Sequence, residues 1–161
     1  LLLRKEDAQR RTLDVNDVVA DSLQLMRSDL MHRQVVVETN LDPALPRVSG
    51  DQSQLQQVLL NFVINGCDAM DGQDADRRLM VRTQTTVNGD VEVSVVDRGA
   101  GIPVANLETI FQPFVTTKAS GMGLGLAICR SIVEAHGGRL WATNNADRGA
   151  TLHCELPARG N

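Results

Sequence analysis

The stretch from Asp97 to Gly125 constrains this chain more than any other. Asp97 closes a β-like run and is followed at once by Arg98-Gly99-Ala100-Gly101-Ile102-Pro103. A second glycine cluster, Gly121-Met122-Gly123-Leu124-Gly125, opens directly into a helical pattern. Glycines let backbone N–H groups approach a ligand closely, and the first turn of a helix favours an anion. The two clusters predict the wall and lid of a nucleotide site. Either cluster alone is equally well read as an ordinary turn. A third element upstream tips the balance.

That element is a helix expected from Gln52 to about Met70, capped by Asp51. Leu55, Val58, Leu59, Phe62, Val63 and Met70 supply its apolar positions. Gln54, Gln57, Asn61, Asn65 and Asp68 fall on one narrow face at steps of three and four. A solvated face is normally rich in Lys, Glu and Arg, whereas this one carries mostly amides. Asn is also a poor helix former, so two in mid-helix cost stability without structural return.

Composition narrows the field. A length of 161 residues favours one domain, and 42% hydrophobic with 22% charged residues is ordinary for a globular protein. A net charge of -4 gives no footing for general nucleic-acid binding. Cys67, Cys129 and Cys154 lie far apart, with no Cys-x-x-Cys pair, which speaks against a zinc site and for a reducing compartment. No apolar run approaches membrane-spanning length and no signal peptide is visible. Only Gly99 and Gly101 follow Asp97, so the dinucleotide-binding spacing fails, and no Gly-x-x-x-x-Gly-Lys-Ser/Thr occurs.

The remaining elements follow from periodicity and turn residues. Thr12 to Val15 is expected as a short β-run, with Asn16 capping a helix to about His32. Gln34 to Asn40 alternates as a strand. Arg78 to Val87 and Asp90 to Asp97 are two strands joined at Asn88-Gly89, a hairpin signal. A short helix is expected over Val104 to Ile110, and no clear period over Gln112 to Ser120, read as a mobile loop. A helix from about Leu124 to Ala135 ends at Gly137-Gly138. Arg139 to Asn144 and Ala150 to Leu156 form a last hairpin.

In this order the motifs resemble the catalytic, ATP-binding domain of sensor histidine kinases, in the wider family with gyrase, the Hsp90 chaperones and MutL. Asn61-Phe62-Val63-Ile64-Asn65 resembles the N box and Asp97-Arg98-Gly99-Ala100-Gly101 the G1 box. Phe111-Gln112-Pro113-Phe114 resembles the F box, Gly121-Met122-Gly123-Leu124-Gly125 the G2 box, and Gly149-Ala150-Thr151 the last short motif. The match runs from about Leu13 to Pro157. Thr116-Thr117-Lys118 and Asp68-Ala69-Met70 are most similar to the nitrogen-regulation and oxygen-sensing branch.

The resemblance implies an α+β fold of Bergerat type: a mixed sheet with helices on one face and ATP between helices and lid. It implies that Asn65 ligates Mg²⁺, that Asn61 contacts phosphate or a metal-bound water, and that Asp97 reads adenine with Thr151 helping through water. Gly99 and Gly101 let the backbone pass the nucleotide. Asp68, Ile102, Phe114, Thr116, Thr117, Gly121, Gly123, Leu124, Gly125 and Leu126 complete the ATP-binding set, with Lys118 a phosphate ligand. ATP-hydrolysing relatives carry a water-activating Glu where this chain has Asn61, and an amide cannot act as that base. Transfer to a histidine is therefore expected over hydrolysis. A gyrase- or chaperone-type ATPase and a regulatory ATP-binding module remain the alternatives.

His32, His136 and His153 have no acidic residue after them, unlike the family's phosphoacceptor, and are expected to be structural or surface residues. Leu1 to about Thr12 is expected to be the stump of the dimerisation helix, residues 13–158 the ATP-binding domain and 159–161 a tail. The partners implied are ATP, the parent's dimerisation domain and a response regulator. The piece is expected to be monomeric, cytoplasmic and unable to label itself, and its parent homodimeric.

Overall fold

The structure, a computed structural model, describes residues 10–113 and 125–159. Its main sheet has five strands: β2 (Val36–Asn40), β4 (Arg78–Thr85), β5 (Val91–Val96), β6 (Arg139–Asn144) and β7 (Ala150–Leu156). They lie in the order β2-β4-β5-β7-β6, with β2 parallel to β4 and every other pair antiparallel. Two short strands, β1 (Arg10–Leu13) and β3 (Val48–Asp51), form a separate antiparallel pair. The helices are α1 (Val15–Leu25), α2 (Arg27–His32), α3 (Gln52–Ala69) and α4 (Gly125–Ala135).

Strand alternation decides which face is covered. Val91, Val93 and Val95 of β5 are buried, as are Leu152, Cys154 and Leu156, their partners on β7. These meet Val18, Val19, Leu55, Val58, Phe62, Cys129 and Val133 of the helices in one apolar core. The α3 helix lies at the centre, packed against α1 on one side and α4 on the other. The result is the α/β sandwich anticipated from the motifs, with helices on one face of a mixed sheet.

Several local expectations are corrected. Arg10 and Arg11, expected in a helical stump, are extended and pair with Asp51 and Gly50. The first helix is capped by Asp14, whose carboxylate accepts from the Asn16 amide, and not by Asn16. The Asn16 side chain donates instead to the Asp42 carbonyl and accepts from Thr83, so tertiary partners claimed it. That helix is also not continuous to His32. It breaks at Met26, where φ is -94° and ψ is 2°, and Met26 is buried. The segment after Pro103 is one 3₁₀ turn, Val104–Asn106, followed by turns, and not a helix to Ile110. The residue expected as tail, Arg159, donates its amide to the Arg47 carbonyl beside β3.

Candidate functional site

The α3 helix owes its position to one capping residue and one glycine. Asp51 is buried and its carboxylate accepts from the Gln54 amide, satisfying a first-turn N–H. At the other end, a Cβ on Gly66 would lie 2.7 Å from Leu79 Cδ2 and 3.6 Å from the Asp97 Cβ. A side chain there would force the Leu79 methyl to move and would abut Asp97. Gly66 was not picked out in the sequence. Its signal was available: glycine inside a helix costs about 1 kcal/mol against alanine and asks for a reason.

Asp97 sits just past β5 and is 5% exposed. One oxygen, Oδ1, accepts from the amides of Gly99 at 2.8 Å and Ala150 at 3.1 Å. Among the described residues the second oxygen, Oδ2, has no hydrogen-bond partner. Burial raises the pKa of the carboxyl, and the two amide bonds work against that shift. An acid in this setting has an acceptor to offer a ligand that supplies N–H groups.

Around Asp97 the backbone is packed too tightly for side chains. A Cβ at Gly99 would come within 2.5 Å of the Ala69 carbonyl oxygen, which brings the end of α3 against the turn. Gly101 has φ +88°, the left-handed region, and lies beside Asn144. The Asn144 amide makes two 2.8 Å bonds with Ile102, accepting from its N–H and donating to its carbonyl. Asn145 donates to the carbonyls of Asp97 and Arg148, each at 2.9 Å. These two asparagines fix the wall of the site, and sequence reasoning missed both. They sit in a hairpin where Asn is common, so nothing marked them apart.

Asn61 and Asn65 lie one turn apart on α3 and are both half-buried. The Asn61 Nδ2 donates to the Gly125 carbonyl at 3.4 Å, which places the start of α4 beside the amide face. Asn65 makes no hydrogen bond to another described side chain. Asp68 is held by Arg33, whose guanidinium is 2.7 Å from it and 2.9 Å from Asp71. Asn61 and Gly125 are thus brought together by the α3–α4 packing, with Asn65 one turn further along α3, and Asp97 and Gly99 by the approach of α3 to the end of β5. Leu126 is half-buried at the first turn of α4. Phe114, Thr116, Thr117, Lys118, Gly121, Gly123 and Leu124 lie outside the described residues.

Thr151 departs from expectation. It pairs with Val96 on β5 and Thr143 on β6, so its side chain shares the uncovered face with them and with His153. Its hydroxyl donates to Asn145 Oδ1 at 2.5 Å. The residue level with Asp97 is Ala150, which offers only a methyl group and its backbone amide. The expected help of Thr151 to the base therefore has no geometric basis, because a one-residue step along a strand reverses the face.

His136 and His153 are placed as structural residues, while His32 is exposed at the end of α2. His136 is buried, and its two ring nitrogens contact the Ile132 carbonyl at 2.8 Å and the Asp51 amide at 3.1 Å. His153 lies between Glu92 at 2.9 Å and Thr143 at 2.8 Å, and stacks on Trp141 with centroids 4.8 Å apart. Among the described residues no group of three or more His, Cys, Asp or Glu side chains is arranged to hold a metal by itself.

The fold and this site together define a nucleotide-binding catalytic domain of the gyrase, Hsp90 and kinase type. The comparisons with known proteins agree. Residues 50–160 match the family described as histidine kinase-, DNA gyrase B- and HSP90-like ATPase, and the chain belongs to it. It is 38% identical over 152 residues to the sensor protein FixL of Bradyrhizobium diazoefficiens, covering 94% of this chain and 30% of that protein. It is 36% identical over 159 residues to the sensor histidine kinase ZraS of Klebsiella oxytoca, covering 99% of this chain and 34% of that one. The chain therefore spans about a third of the length of these curated relatives. Among solved structures it is similar to the catalytic domain of histidine kinase ThkA, with a TM-score of 0.78 and 30% identity over 92% of this chain and 95% of that one. The mycobacterial sensor histidine kinase MprB gives 0.80 and 28%, over 94% and 99%.

Proposed function

We propose that this chain is the ATP-binding catalytic domain of a two-component sensor histidine kinase, which donates the γ-phosphoryl group of ATP to a histidine on the parent's dimerisation domain. The observation that carries this reading is the pair formed by Asp97 and the amide face of α3. Asp97 keeps one carboxylate oxygen for a ligand in a buried wall. On the neighbouring helix Asn61 meets the start of α4, and Asn65 lies one turn along from it. The first suits the amino group of adenine and the second suits the phosphates.

Mg²⁺ fits this donor set. Asn65 offers a hard, neutral oxygen, and a Mg²⁺ ion bound with a nucleotide takes its charge balance from phosphates and keeps several waters. Three clustered carboxylates are not required for such an ion. When bound, Mg²⁺ neutralises charge developing on the transferring phosphoryl group. Asn61 orients phosphate or a metal-bound water and does not remove a proton from it, so hydrolysis is slow. Lys118, Thr116 and Thr117 complete the phosphate contacts in this reading.

The ring nitrogens of His136 and His153 are engaged within the fold. With His32 followed by Arg33 and not by an acidic residue, this supports an acceptor histidine outside the chain. The response regulator is the downstream partner proposed, in keeping with a ThkA structure described as a complex with the response regulator TrrA, 28% identical to this chain. No described helix is long and apolar enough to cross a membrane. Cytoplasmic placement is the compartment that supplies ATP.

The test is a labelling gel with γ-labelled ATP–Mg²⁺ on this chain alone, the parent's dimerisation piece alone, and both together. The mixture should carry acid-labile label on the dimerisation piece and the chain alone almost none. Strong label on the isolated chain would overturn the division of labour. Transfer will be inefficient in the mixture, because a covalent link supplies much of the positioning.

A further inference from the structure

The two helices that flank the nucleotide site run antiparallel. Gly125 at the start of α4 meets Asn61 at 3.4 Å, and Cys129 Sγ lies 3.8 Å from the Val58 carbonyl one turn on. Apolar packing of Cys129, Ile132 and Val133 joins α4 to α3, and a further, hydrogen-bonded tie lies at the far end. There the chain turns out of α4 at His136, beside Asp51, the cap of α3 and the end of β3.

The hydrogen-bond roles of His136 are forced by its partners. The Ile132 oxygen is a carbonyl and takes a hydrogen from Nδ1 at 2.8 Å. The Asp51 amide is a donor, so Nε2 must accept from it at 3.1 Å. Only the neutral Nδ1–H tautomer satisfies both. The ring is also wedged: a Cβ on Gly50 would lie 2.9 Å from its Cδ2. A protonated ring would point an N–H at the N–H of Asp51.

We propose that His136 is a positioning residue of the nucleotide site: through its bond to Asp51 it sets the spacing of α4 against α3, and so holds Asn61 and Gly125 in register for the phosphates. This rests on the nucleotide reading above. The charged groups facing the ring are Arg10 from β1, whose guanidinium also donates to the Ala135 carbonyl at 2.6 Å, and the Asp51 side chain. Burial is the largest influence and lowers the pKa of His136; the bond to the Ile132 carbonyl opposes it, Arg10 lowers it further and Asp51 raises it slightly. The sign follows. The neutral ring is the clamping form, so the clamp is whole above the ordinary histidine value of about 6.5 and is lost as pH falls through the lower folded value.

The substitutions separate the two ring nitrogens. Gln places an amide oxygen near Nε2 and keeps the acceptor for Asp51. Asn places its amide near Nδ1, keeps the Ile132 bond and leaves the Asp51 amide unpaired. ADP–Mg²⁺ affinity is measured by calorimetry for the wild type, His136→Gln and His136→Asn, from about pH 8 down to the lowest pH at which the wild type stays folded. His136→Gln should bind like the wild type at neutral pH, and a folded His136→Asn about fivefold more weakly. On acidification the wild type should lose about fivefold more affinity than His136→Gln, whose amide does not titrate. The Gln variant also cancels the titration of ADP and of Asp97. Parallel pH profiles for wild type and His136→Gln, or wild-type affinity in a folded His136→Asn, would overturn the proposal. Should His136→Asn not fold, the pH comparison decides. A wild type that binds no ADP at any pH would instead sink the nucleotide reading itself.

Discussion

A Cβ at Gly149 would sit 2.2 Å from the carbonyl oxygen of Asp97 and 2.8 Å from its Oδ1. Gly149 also has φ +86°, which L side chains rarely adopt. The β6–β7 turn thus lies against the residue assigned to the base. Gly149→Ala should cost about 1–3 kcal/mol through strain and displacement of Asp97. A melting temperature several degrees lower and weaker ADP binding are both expected. Unchanged melting would mean that the turn relaxes without touching Asp97.

Asp97→Asn separates binding from stability. The Asn oxygen keeps the bonds from Gly99 and Ala150, but an NH₂ group replaces the oxygen meant for the adenine amino group. Affinity for ADP should fall tenfold or more, the size of a lost charge-assisted bond of about 1.5–3 kcal/mol. Stability should move the other way. Burial raises the folded pKa of Asp97 above 3.8, so its contribution is whole below the unfolded value and is lost as pH rises through the folded one. The variant should therefore melt no lower than the wild type at neutral pH, with any advantage vanishing toward about pH 4. Native affinity in a folded variant removes Asp97 from the base site.

The two asparagines of α3 should behave differently. Asn65→Ala should abolish the Mg²⁺ dependence of ATP binding, while Asn61→Ala weakens it less, because Asn61 also spends its amide on Gly125. Titrating ATP with and without Mg²⁺ checks both. Persistent Mg²⁺ dependence in Asn65→Ala reassigns the metal ligand.

The three thiols should be inert in the folded chain. Cys67, Cys129 and Cys154 are buried, and burial pushes Cys67 up to about 11 and Cys129 to about 12. Thiolate is the reactive form, so alkylation at mildly alkaline pH should be slow for all three and rapid after denaturation. Fast labelling of the native chain would show that the core opens readily.

Much of this protein was written along the chain. The last hairpin, Arg139–Asn144 and Ala150–Leu156, was placed to the residue, because strict alternation and a glycine turn are local signals. The α3 helix with its Asp51 cap was legible for the same reason, as was the strand end that delivers Asp97. Ordered glycine and asparagine motifs gave the family, which no single motif would have done.

Tertiary structure decided what local patterns leave open. Asn16 and Asp14 are both good caps, and the choice fell to Asp14 because Asp42 and Thr83 reach Asn16 from elsewhere. Thr151 has the chemistry for a base contact, but pairing with Val96 turns it to the other face and leaves Ala150 beside Asp97. Gly66, Asn144, Asn145 and His136 matter through neighbours that lie from tens of residues up to 85 residues away. Sequence determines which groups the chain can offer. Packing determines which partner each one meets, since a hydrogen bond or a close contact depends on ångströms that only the assembled sheet and helices set.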